Sequence, residues 1–415
     1  MEDRDPTELF SNRYYRETYG REIGKGVNPF YHYLTVGRER GYRQNPFGTS
    51  FWPEAVAPVE TAWDGVRPAA DLDGADLVLI MPVYKGYDDT LLAIHSVLSA
   101  RQSARFALLV INDCGPEPRL TAALEEFSAR GLFAYRTNAE NLGFVQTCNR
   151  GLDLARGRDV VLLNSDIVVY GDWLDRLLRH AADPRVATIT PFSNNATICS
   201  YPQINVDNRI QLEITPAELD AYAAVCNAGD ASSVPTGVGF CFYMRGSVIS
   251  EIGPLDAETF GKGYGEENDF CMRALKRGYV NLLAHDVFEF HSGSVSFGSM
   301  LEKKGADIFL SILGKHPDYQ KRVETHIAVD PARFARKRLD YYRFAQRAGN
   351  RTALFVTHKW GGGIETHVED LSRRLAQAGY DVVYLRTAGP TEIEVGLPAD
   401  SRIDFPVSTL ERVMN

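Results

Sequence analysis

The sequence predicts an α/β protein with a mostly parallel sheet flanked by helices, preceded by a small helical module and followed by a partial Rossmann-like βαβ tail. Two observations support this fold class. Short apolar runs that stop at a polar residue recur between residues 76 and 166, and amphipathic stretches of crossover-helix length separate them. Such alternation is typical of parallel sheets, where ligands lie beyond the C-terminal ends of the strands.

Length, charge and cysteine usage narrow the class of protein further. The 415 residues exceed the size at which one core stops growing, so we expect several domains. The net charge of −9 argues against nucleic acid as a partner. Six scattered cysteines without a C-x-x-C pair favour reduced, mostly buried thiols. Without an apolar leader or a run of about 18 apolar residues, we expect a cytoplasmic protein with at most peripheral contact at the inner face of the cell membrane.

The chain before the sheet divides into two segments. Residues 1–52 carry aromatic pairs with Pro29 at a helix start and Gly37 or Gly41 at a helix end, which predicts two or three short helices over a small aromatic core. Residues 53–75 are rich in Pro, Ala and Asp without periodicity, which is typical of a linker.

The sheet domain is predicted over residues 76–300 and charged amphipathic helices over 301–349. Residues 350–415 begin with a strand, a glycine turn, a helix that stops at Gly379 and a second strand. A complete nucleotide-binding domain of about 100 residues does not fit in this tail.

Polar residues at the ends of the predicted strands are the candidate nucleotide contacts. The carboxylate of Asp113 is suited to bind a base or ribose, although Asp at this place also suits a helix cap or turn. The loop before the next helix contains Asn141 and Gly143, whose backbone N–H groups can approach phosphate. The candidates at this edge are Pro82, Tyr84, Asp113, Asn141, Asn149 and Arg150.

The stretch Asn164, Ser165 and Asp166 follows the apolar run VVLL and predicts a cation site. Asn164 and Asp166 point to the same side of a strand end, where they can hold a divalent ion that bridges two phosphates. An Asx turn is the alternative reading of the same residues. His291 is a candidate third ligand through a neutral imidazole nitrogen, although a lone histidine after a strand is more often a packed residue.

Three acids, Glu266, Glu267 and Asp269, follow a glycine-rich approach and begin a predicted helix. Carboxylates in a first turn favour the helix dipole, so capping explains at least one of them. Capping does not require all three. One carboxylate can act as a general base while a neighbour binds a hydroxyl group or orients an arginine.

In order, the motifs IMPVYKG, VINDCGP, NAENLGF, VVLLNSD, TPFSNNATICSYP, PTGVGFCF, GYGEENDF and FHSGSVSFG resemble those of the family 2 glycosyltransferases, inverting enzymes with the A-type glycosyltransferase fold. The resemblance covers about residues 76–300. It implies a nucleotide-diphosphate sugar donor, one divalent metal ion (Mn²⁺ or Mg²⁺) and direct displacement at the anomeric carbon by an acceptor hydroxyl.

By position, the resemblance assigns roles to several candidates. Asp113 resembles the base-binding acid, and residues 164–166 stand where the family has an Asp-any-Asp metal motif. Asn164 departs from that motif, which leaves Asp166 as the main carboxylate and His291 as its partner. Glu267 stands at the place of the general base, with Glu266 and Asp269 as alternatives. Thr236 and Gly237 are expected near the acceptor.

The flanks also resemble known pieces. The first 50 residues are similar to a small aromatic module attached to polysaccharide-building glycosyltransferases, and residues 358–385 resemble the start of a family 4 glycosyltransferase of the B-type fold, with Gly361 to Gly363 as its glycine loop. We expect this tail to be inert as a second enzyme.

The function implied is transfer of a sugar from a UDP- or dTDP-sugar to a hydroxyl of a growing bacterial surface polysaccharide or lipid-linked glycan. Two alternatives are a noncatalytic glycan- or partner-binding module and a sugar-phosphate nucleotidyltransferase. The latter typically carries a basic, glycine-rich loop after the first strand, where this chain has only Lys85 and one glycine.

Overall fold

The computed structural model describes residues 10, 12–24, 26–38, 40, 42, 52–209, 211–261, 263–293, 298–347, 351–358, 363–389, 392–396 and 413–414. The strands are β1 (Leu77–Val83), β2 (Phe106–Asn112), β3 (Ala134–Thr137), β4 (Asp159–Leu163), β5 (Ile167–Val168), β6 (Val186–Ser193), β7 (Ala231–Val234), β8 (Cys241–Met244), β9 (Val280–His291), β10 (Thr352–His358), β11 (Asp381–Gly389), β12 (Glu392–Gly396) and β13 (Val413–Met414).

The helices are α1 (Asn12–Tyr19), α2 (Pro29–His32), α3 (Tyr87–Ser99), α4 (Pro118–Ala129), α5 (Phe144–Ala155), α6 (Trp173–His180), α7 (Pro216–Cys226), α8 (Gly246–Ile252), α9 (Ala257–Phe260), α10 (Glu266–Lys276), α11 (Gly298–Lys315), α12 (Tyr319–Val329), α13 (Arg333–Arg347) and α14 (Gly363–Gln377). Among the described residues, none of these helices combines the length and the apolar character needed to cross a membrane.

The chain forms two compact units. One contains residues 53–207 and 216–336, and the other contains 1–52, 208–215 and 337–415. The larger unit is built on a sheet with the strand order β3-β2-β1-β4-β8-β6-β9-β5, in which β7 also pairs with β9. Strands β1 to β4 run parallel, whereas β8 runs antiparallel to both β4 and β6.

The apolar runs of the sequence form the buried centre of this sheet. Every residue of β4 after Asp159 is buried, as is every residue of β1 except Pro82. Helix α5 packs so closely on β1 that a Cβ atom on Gly151 would lie 2.5 Å from Cγ2 of Ile80. The strands and crossover helices predicted over residues 76–166 are therefore confirmed.

Residues 53–75, predicted as a linker, pack against the sheet unit. The Trp63 ring is buried, stacks on Phe127 with ring centroids 4.1 Å apart and meets His95 edge-on at 5.1 Å. His95 Nε2 also bonds to the carbonyl of Ala62 at 3.1 Å. Burial of a large aromatic ring holds this segment in place although it lacks periodicity.

The smaller unit contains an aromatic cluster near the N-terminus and a second sheet near the C-terminus. Phe10, Tyr15 and Tyr19 are buried together, and the Tyr15 hydroxyl bonds to Nδ1 of His32 at 3.0 Å. Pro29 occupies the first turn of α2, as expected. In the tail, β10 and β11 are parallel and α14 connects them, so the predicted βαβ start is present. Gly361 and Gly362 lie outside the described residues.

Candidate active site

Parallel strands bring the C-terminal ends of β1 and β2 to one edge of the sheet, with Val83 opposite Asn112. Asp113 follows directly and is 5% exposed. Its carboxylate accepts hydrogen bonds from Asn138 Nδ2, Leu142 N and Gly143 N, each at 2.8 Å. A carboxylate offers about four lone-pair sites, so this loop uses most of them. Asp113 thus orders the loop that enters α5.

The side chains of the other candidates at this edge differ in whether their polar atoms make hydrogen bonds. Asn149 exchanges two hydrogen bonds with the backbone of Leu255, at 2.7 and 3.1 Å. Arg150 Nη1 donates to the carbonyl of Thr137 at 3.0 Å and also to Asn138 Oδ1. In contrast, Oδ1 of Asn141 is buried and has no hydrogen-bond partner among the residues that the structure describes. Asn141 therefore presents an unused acceptor, whereas Asn149 and Arg150 brace neighbouring loops.

Pro82 and Tyr84 shape the exit of β1. Pro82 is half-buried and lies opposite Ile111 of β2. The Tyr84 carbonyl approaches Gly115 so closely that a Cβ atom on Gly115 would lie 2.1 Å from it. The backbone of the β1 exit thus packs against the turn that follows Asp113.

The residues after β4 meet the end of β9. Asn164 Nδ2 lies 3.4 Å from His291 Nε2, and Asp166 Oδ1 lies 3.4 Å from the same nitrogen. Pairing of Ile167 with His291 and a 3.0 Å hydrogen bond from Ser292 N to the Asp166 carbonyl hold the two segments together. Ser165, which stands between Asn164 and Asp166 in the sequence, is half-buried. Three predicted ligand candidates thus share one place.

The imidazole of His291 has a defined orientation in this cluster. Its Nδ1 bonds to the Asn195 carbonyl at 2.8 Å, and its ring stacks on Phe240 with centroids 5.3 Å apart. A carbonyl only accepts hydrogen bonds, so Nδ1 carries the proton and the Nε2 lone pair faces Asp166 when the ring is neutral. Burial lowers the pKa of His291, but the Asp166 charge and hydrogen bonds outweigh it and raise the pKa overall.

This trio fits a divalent cation that also binds substrate. Imidazole nitrogen, carboxylate and amide oxygen are donors that Mn²⁺ accepts, and Mg²⁺ accepts the oxygen donors. Within the described ranges no three His, Cys, Asp or Glu side chains converge on one point. A cation held by one carboxylate, one imidazole and one amide would complete its coordination with phosphate oxygens or water.

Sequence reasoning missed a second carboxylate near this cluster. Asp89 lies half-buried in the first turn of α3, where a hydrogen bond joins it to the Ser292 side chain. Burial raises the pKa of Asp89, and the nearby charge of Asp166 raises it further. The pair Asp88-Asp89 was visible in the sequence, but nothing local indicated that α3 starts beside β9.

Glu266 and Glu267 begin α10 after two residues with positive φ, Tyr264 at 72° and Gly265 at 95°. Burial raises the pKa of both carboxyl groups, and the Glu267 charge raises the pKa of Glu266 further. Hydrogen bonds from the Gly265 and Glu267 backbone and from Glu266 partly counteract the rise at Glu267. The side-chain interaction between the two carboxyl groups raises the pKa of Glu266 and lowers that of Glu267, so Glu267 is the more readily ionised of the pair. The Oε2 atom of each glutamate is buried and finds no hydrogen-bond partner within the described part of the chain.

Asp269, the third acid, has different surroundings. It is fully buried and accepts hydrogen bonds from Arg273 Nε at 2.7 Å, His316 Nε2 at 2.8 Å and Lys315 Nζ at 3.0 Å. Burial raises the pKa of Asp269, but these three donors outweigh it and lower the pKa overall. The carboxylate thus joins α10 to the end of α11.

Thr236 and Gly237 connect the loop before β8 to α10. Thr236 Oγ1 donates to Asn268 Oδ1 at 2.6 Å, and Gly237 N donates to Cys271 Sγ at 3.3 Å. A side chain at Gly237 would collide with Thr190, since a Cβ atom there would lie 2.4 Å from Oγ1. Asn268, between two of the predicted acids, is a further polar residue that the sequence analysis did not single out.

Electrostatic contacts relate the separate clusters to one another. The pKa of Tyr264 is raised to about 12, first by burial and then by the charges of Glu267, Glu266 and Asp166. Burial also raises the pKa of the Cys148 thiol, with further contributions from Glu266, Asp113 and Glu267. The glutamate pair therefore lies near enough to Asp166 for both to act on Tyr264, and near enough to Asp113 for both to act on Cys148.

Known proteins match this part of the chain. Residues 78–253 match the model of the family described as Glycosyl transferase family 2. The matched residues are less than half of the chain. The sheet and this match together confirm the predicted α/β class and A-type glycosyltransferase fold.

A curated relative, the pre-mycofactocin glycosyltransferase of Mycobacterium tuberculosis, is 31% identical over 148 residues. That match covers 33% of this chain and 29% of the relative's length.

Two solved structures are also similar. One is a mannosyltransferase from Pyrobaculum calidifontis in complex with GDP-Man and Mn²⁺, with a TM-score of 0.42 and 13% sequence identity. The matched region covers 84% of this chain and 88% of the mannosyltransferase chain. The other is GalNAc-T7 with UDP, GalNAc and Mn²⁺, with a TM-score of 0.43 and 17% sequence identity. The matched region covers 52% of this chain and 44% of the GalNAc-T7 chain.

Proposed function

We propose that the chain is an inverting, metal-dependent glycosyltransferase of the hexosyltransferase type. It moves a sugar from a UDP- or dTDP-sugar to a hydroxyl of a growing bacterial surface polysaccharide or lipid-linked glycan. The observation that supports the proposal is that Asn164 Nδ2 and Asp166 Oδ1 both lie 3.4 Å from His291 Nε2, while the charges of Asp166, Glu266 and Glu267 all act on the neighbouring Tyr264. The family match over residues 78–253 supports the class of reaction.

The donor binds over the C-terminal ends of β1, β2 and β4. Asn141 Oδ1, a buried acceptor that no described residue bonds to, receives a hydrogen bond from the base, and the loop bonded to Asp113 forms the floor of the base pocket. Donors with an imide N–H group, uracil and thymine, suit such an acceptor. Asp113 contributes its remaining lone pair to the same pocket.

Asp166, His291 and Asn164 hold the divalent cation. Mn²⁺ or Mg²⁺ supplies the positive charge that makes the nucleotide diphosphate a good leaving group. With its proton on Nδ1, His291 would bind the cation through Nε2, and Asn164 would bind it through its amide oxygen.

Glu267 acts as the general base toward the acceptor hydroxyl. The interaction between the two side chains raises the pKa of Glu266 and lowers that of Glu267, so Glu267 is the carboxyl group of the pair that ionises more readily. The acceptor oxygen attacks the anomeric carbon, its proton passes to Glu267, and the bond to the diphosphate breaks on the opposite face. Because burial raises the pKa of Glu267, the rate rises as the pH passes that pKa.

The glutamate pair supplies a sharp test. Gln at 266 still donates a hydrogen bond to Glu267, whereas Gln at 267 cannot take a proton. We expect Glu267→Gln to lower the rate of UDP or dTDP release from their sugar donors by about 10²- to 10⁴-fold. Glu266→Gln should retain most of the rate, and calorimetric binding of UDP with Mn²⁺ should persist in both. Full turnover in Glu267→Gln would end the assignment of the base.

One observation favours a second candidate, a noncatalytic glycan-binding module. Asn164 leaves the cation trio with a single carboxylate, which weakens its affinity for a divalent ion. A pure glycan-binding module has no need for both nucleotide diphosphate and Mn²⁺. Calorimetry that detects no binding of UDP or dTDP in the presence of Mn²⁺ would favour the module.

The flanking segments enter the proposal as accessories. We propose that the βαβ tail carries no second donor-dependent activity and that the protein acts in the cytoplasm, where a lipid-linked acceptor brings it to the membrane surface. Transfer activity that survives Glu267→Gln and depends on residues 350–415 would contradict the first of these statements.

A further inference from the structure

We propose that Asn194 and Asn195, at the end of β6, are positioning residues that hold the imidazole of His291 with Nε2 toward the cation site. The inference rests on the proposed function, because it assigns His291 as a metal ligand. It adds two residues that the sequence analysis quoted within a motif but gave no role.

Asn194 fixes the backbone of His291 from both sides. The side chain is 4% exposed, its Nδ2 donates to the His291 carbonyl at 3.0 Å, and its Oδ1 accepts from His291 N at 2.8 Å. Ser193, the last residue of β6, donates from Oγ to the same Oδ1 at 3.3 Å. Since β6 and β9 are parallel neighbours, this amide continues their ladder by one residue and anchors the place where β9 ends.

Asn195 and Phe240 fix the ring itself. The Asn195 carbonyl accepts from His291 Nδ1 at 2.8 Å, and Phe240 stacks on the imidazole with an interplanar angle of 19°. The hydrogen bond selects the tautomer, and the stack limits rotation about the ring axis. Metal-ligating histidines typically donate their other ring N–H to a carbonyl or carboxylate in this way, which fixes the orientation of the ring.

Gly293 makes the close approach of Asn195 compatible with the chain after β9. Its φ of 70° lies in the left-handed region, and a Cβ atom at this position would lie 2.1 Å from Asn195 Nδ2. A larger residue would therefore be strained in its backbone and would push Asn195 away from His291.

Asn164 gives this positioning its importance. Because Asp166 is the one carboxylate among Asn164, Asp166 and His291, the imidazole supplies a larger share of the binding energy for the cation. Free rotation of the imidazole would therefore lower the cation affinity more than it would at a site with two carboxylates. Loss of an outer partner of a metal ligand typically weakens metal affinity by about 10- to 100-fold.

The test compares two buried asparagines that bond to the same strand. Asn194→Ala removes the clamp on His291, whereas Asn227→Ala removes a matched contact, the 3.1 Å hydrogen bond from Asn227 Nδ2 to the carbonyl of His285 in β9. Mn²⁺ affinity is measured on the full chain by electron paramagnetic resonance, with and without UDP, and unfolding in urea reports stability. We expect Asn194→Ala to bind Mn²⁺ about 10- to 100-fold more weakly, and Asn227→Ala to bind it like the wild type even though its stability falls.

The outcomes separate the inference from the proposed function. Equal Mn²⁺ affinity in Asn194→Ala and the wild type, with affinity lost in His291→Ala, overturns the positioning role alone. Absence of Mn²⁺ binding in the wild type overturns both. If Asn194→Ala does not fold, Phe240→Leu removes the stacked ring with the same readout, and unchanged Mn²⁺ affinity in that variant overturns the inference.

Discussion

At the residue scale, the cation trio depends on charges that come from outside its own turn. Asn164 carries no charge, and Asp89 approaches from the first turn of α3, where a hydrogen bond links it to Ser292. A carboxylate near a cation contributes long-range attraction even when it does not touch the ion. Asp89 of α3 thus adds a second negative charge near the single carboxylate of residues 164–166.

We expect Asp89→Asn to weaken Mn²⁺ binding by roughly fivefold, because loss of one nearby charge corresponds to about 1 kcal/mol. Asp88→Asn is the matched control, since Asp88 is the exposed neighbour whose carboxylate accepts from Ala57 N at 2.9 Å. Mn²⁺ titrations of both variants at low salt check the prediction. Equal affinities would show that Asp89 does not act on the cation.

At the element scale, α10 combines the proposed base with an anchor to the next helix. Glu267 lies in its first turn, and Asp269 two residues later binds Arg273, Lys315 and His316. Lys315 also bonds to Asp256, which caps α9. The position of the glutamate pair therefore depends on ion pairs at the other side of the same helix turn.

Asp269→Asn should lower the free energy of unfolding by about 2 kcal/mol at neutral pH, because it removes the buried carboxylate that accepts hydrogen bonds from the partly exposed cations of Arg273 and Lys315. The folded-state pKa of Asp269 is lowered. Its contribution is therefore complete above the unfolded pKa, about 3.9, and is lost as the pH falls through the lower folded-state pKa. Urea unfolding of variant and wild type should give a difference that shrinks below about pH 4.

The same variant distinguishes the anchor from the alternative base. If Asp269 were the base, Asp269→Asn would abolish turnover at a temperature where the variant remains folded. We expect it instead to retain turnover at low temperature and to lose it on heating. Measuring release of UDP from its sugar donors at two temperatures decides between the two roles.

At the scale of the whole molecule, binding of the sugar donor should increase the stability of the larger unit against unfolding. A ligand at about 100 times its Kd stabilises the native state by about 2.7 kcal/mol. UDP- or dTDP-sugars with Mn²⁺ should therefore raise the melting temperature of the wild type, whereas GDP-sugars should do so less. Asp166→Ala should lose the Mn²⁺-dependent part of the shift. A metal-independent shift of the same size in both proteins would contradict the cation assignment.

Much of the architecture could be predicted because its signals are local. The apolar runs of β1, β2 and β4 and the amphipathic pattern of α3 and α5 lie within single segments of the sequence. The stop of the tail helix near Gly379 follows from the backbone freedom of glycine. Trp63 shows the limit, since its burial against Phe127 comes from a partner far away in the chain.

The sequence by itself determined the fold class, the sheet edge at which to look and the residue types that gather there, because strand periodicity and polar strand ends are properties of neighbouring residues. Only the tertiary structure decided how those side chains are used. The Asp113 carboxylate accepts a hydrogen bond from the backbone of Gly143, 30 residues away in the sequence. Asp269 bonds to His316 across 47 residues, and His291 bonds to the Asn195 carbonyl across 96 residues. A hydrogen bond forms only between groups about 3 Å apart, and no local pattern specifies which distant donor or acceptor the fold brings within that distance.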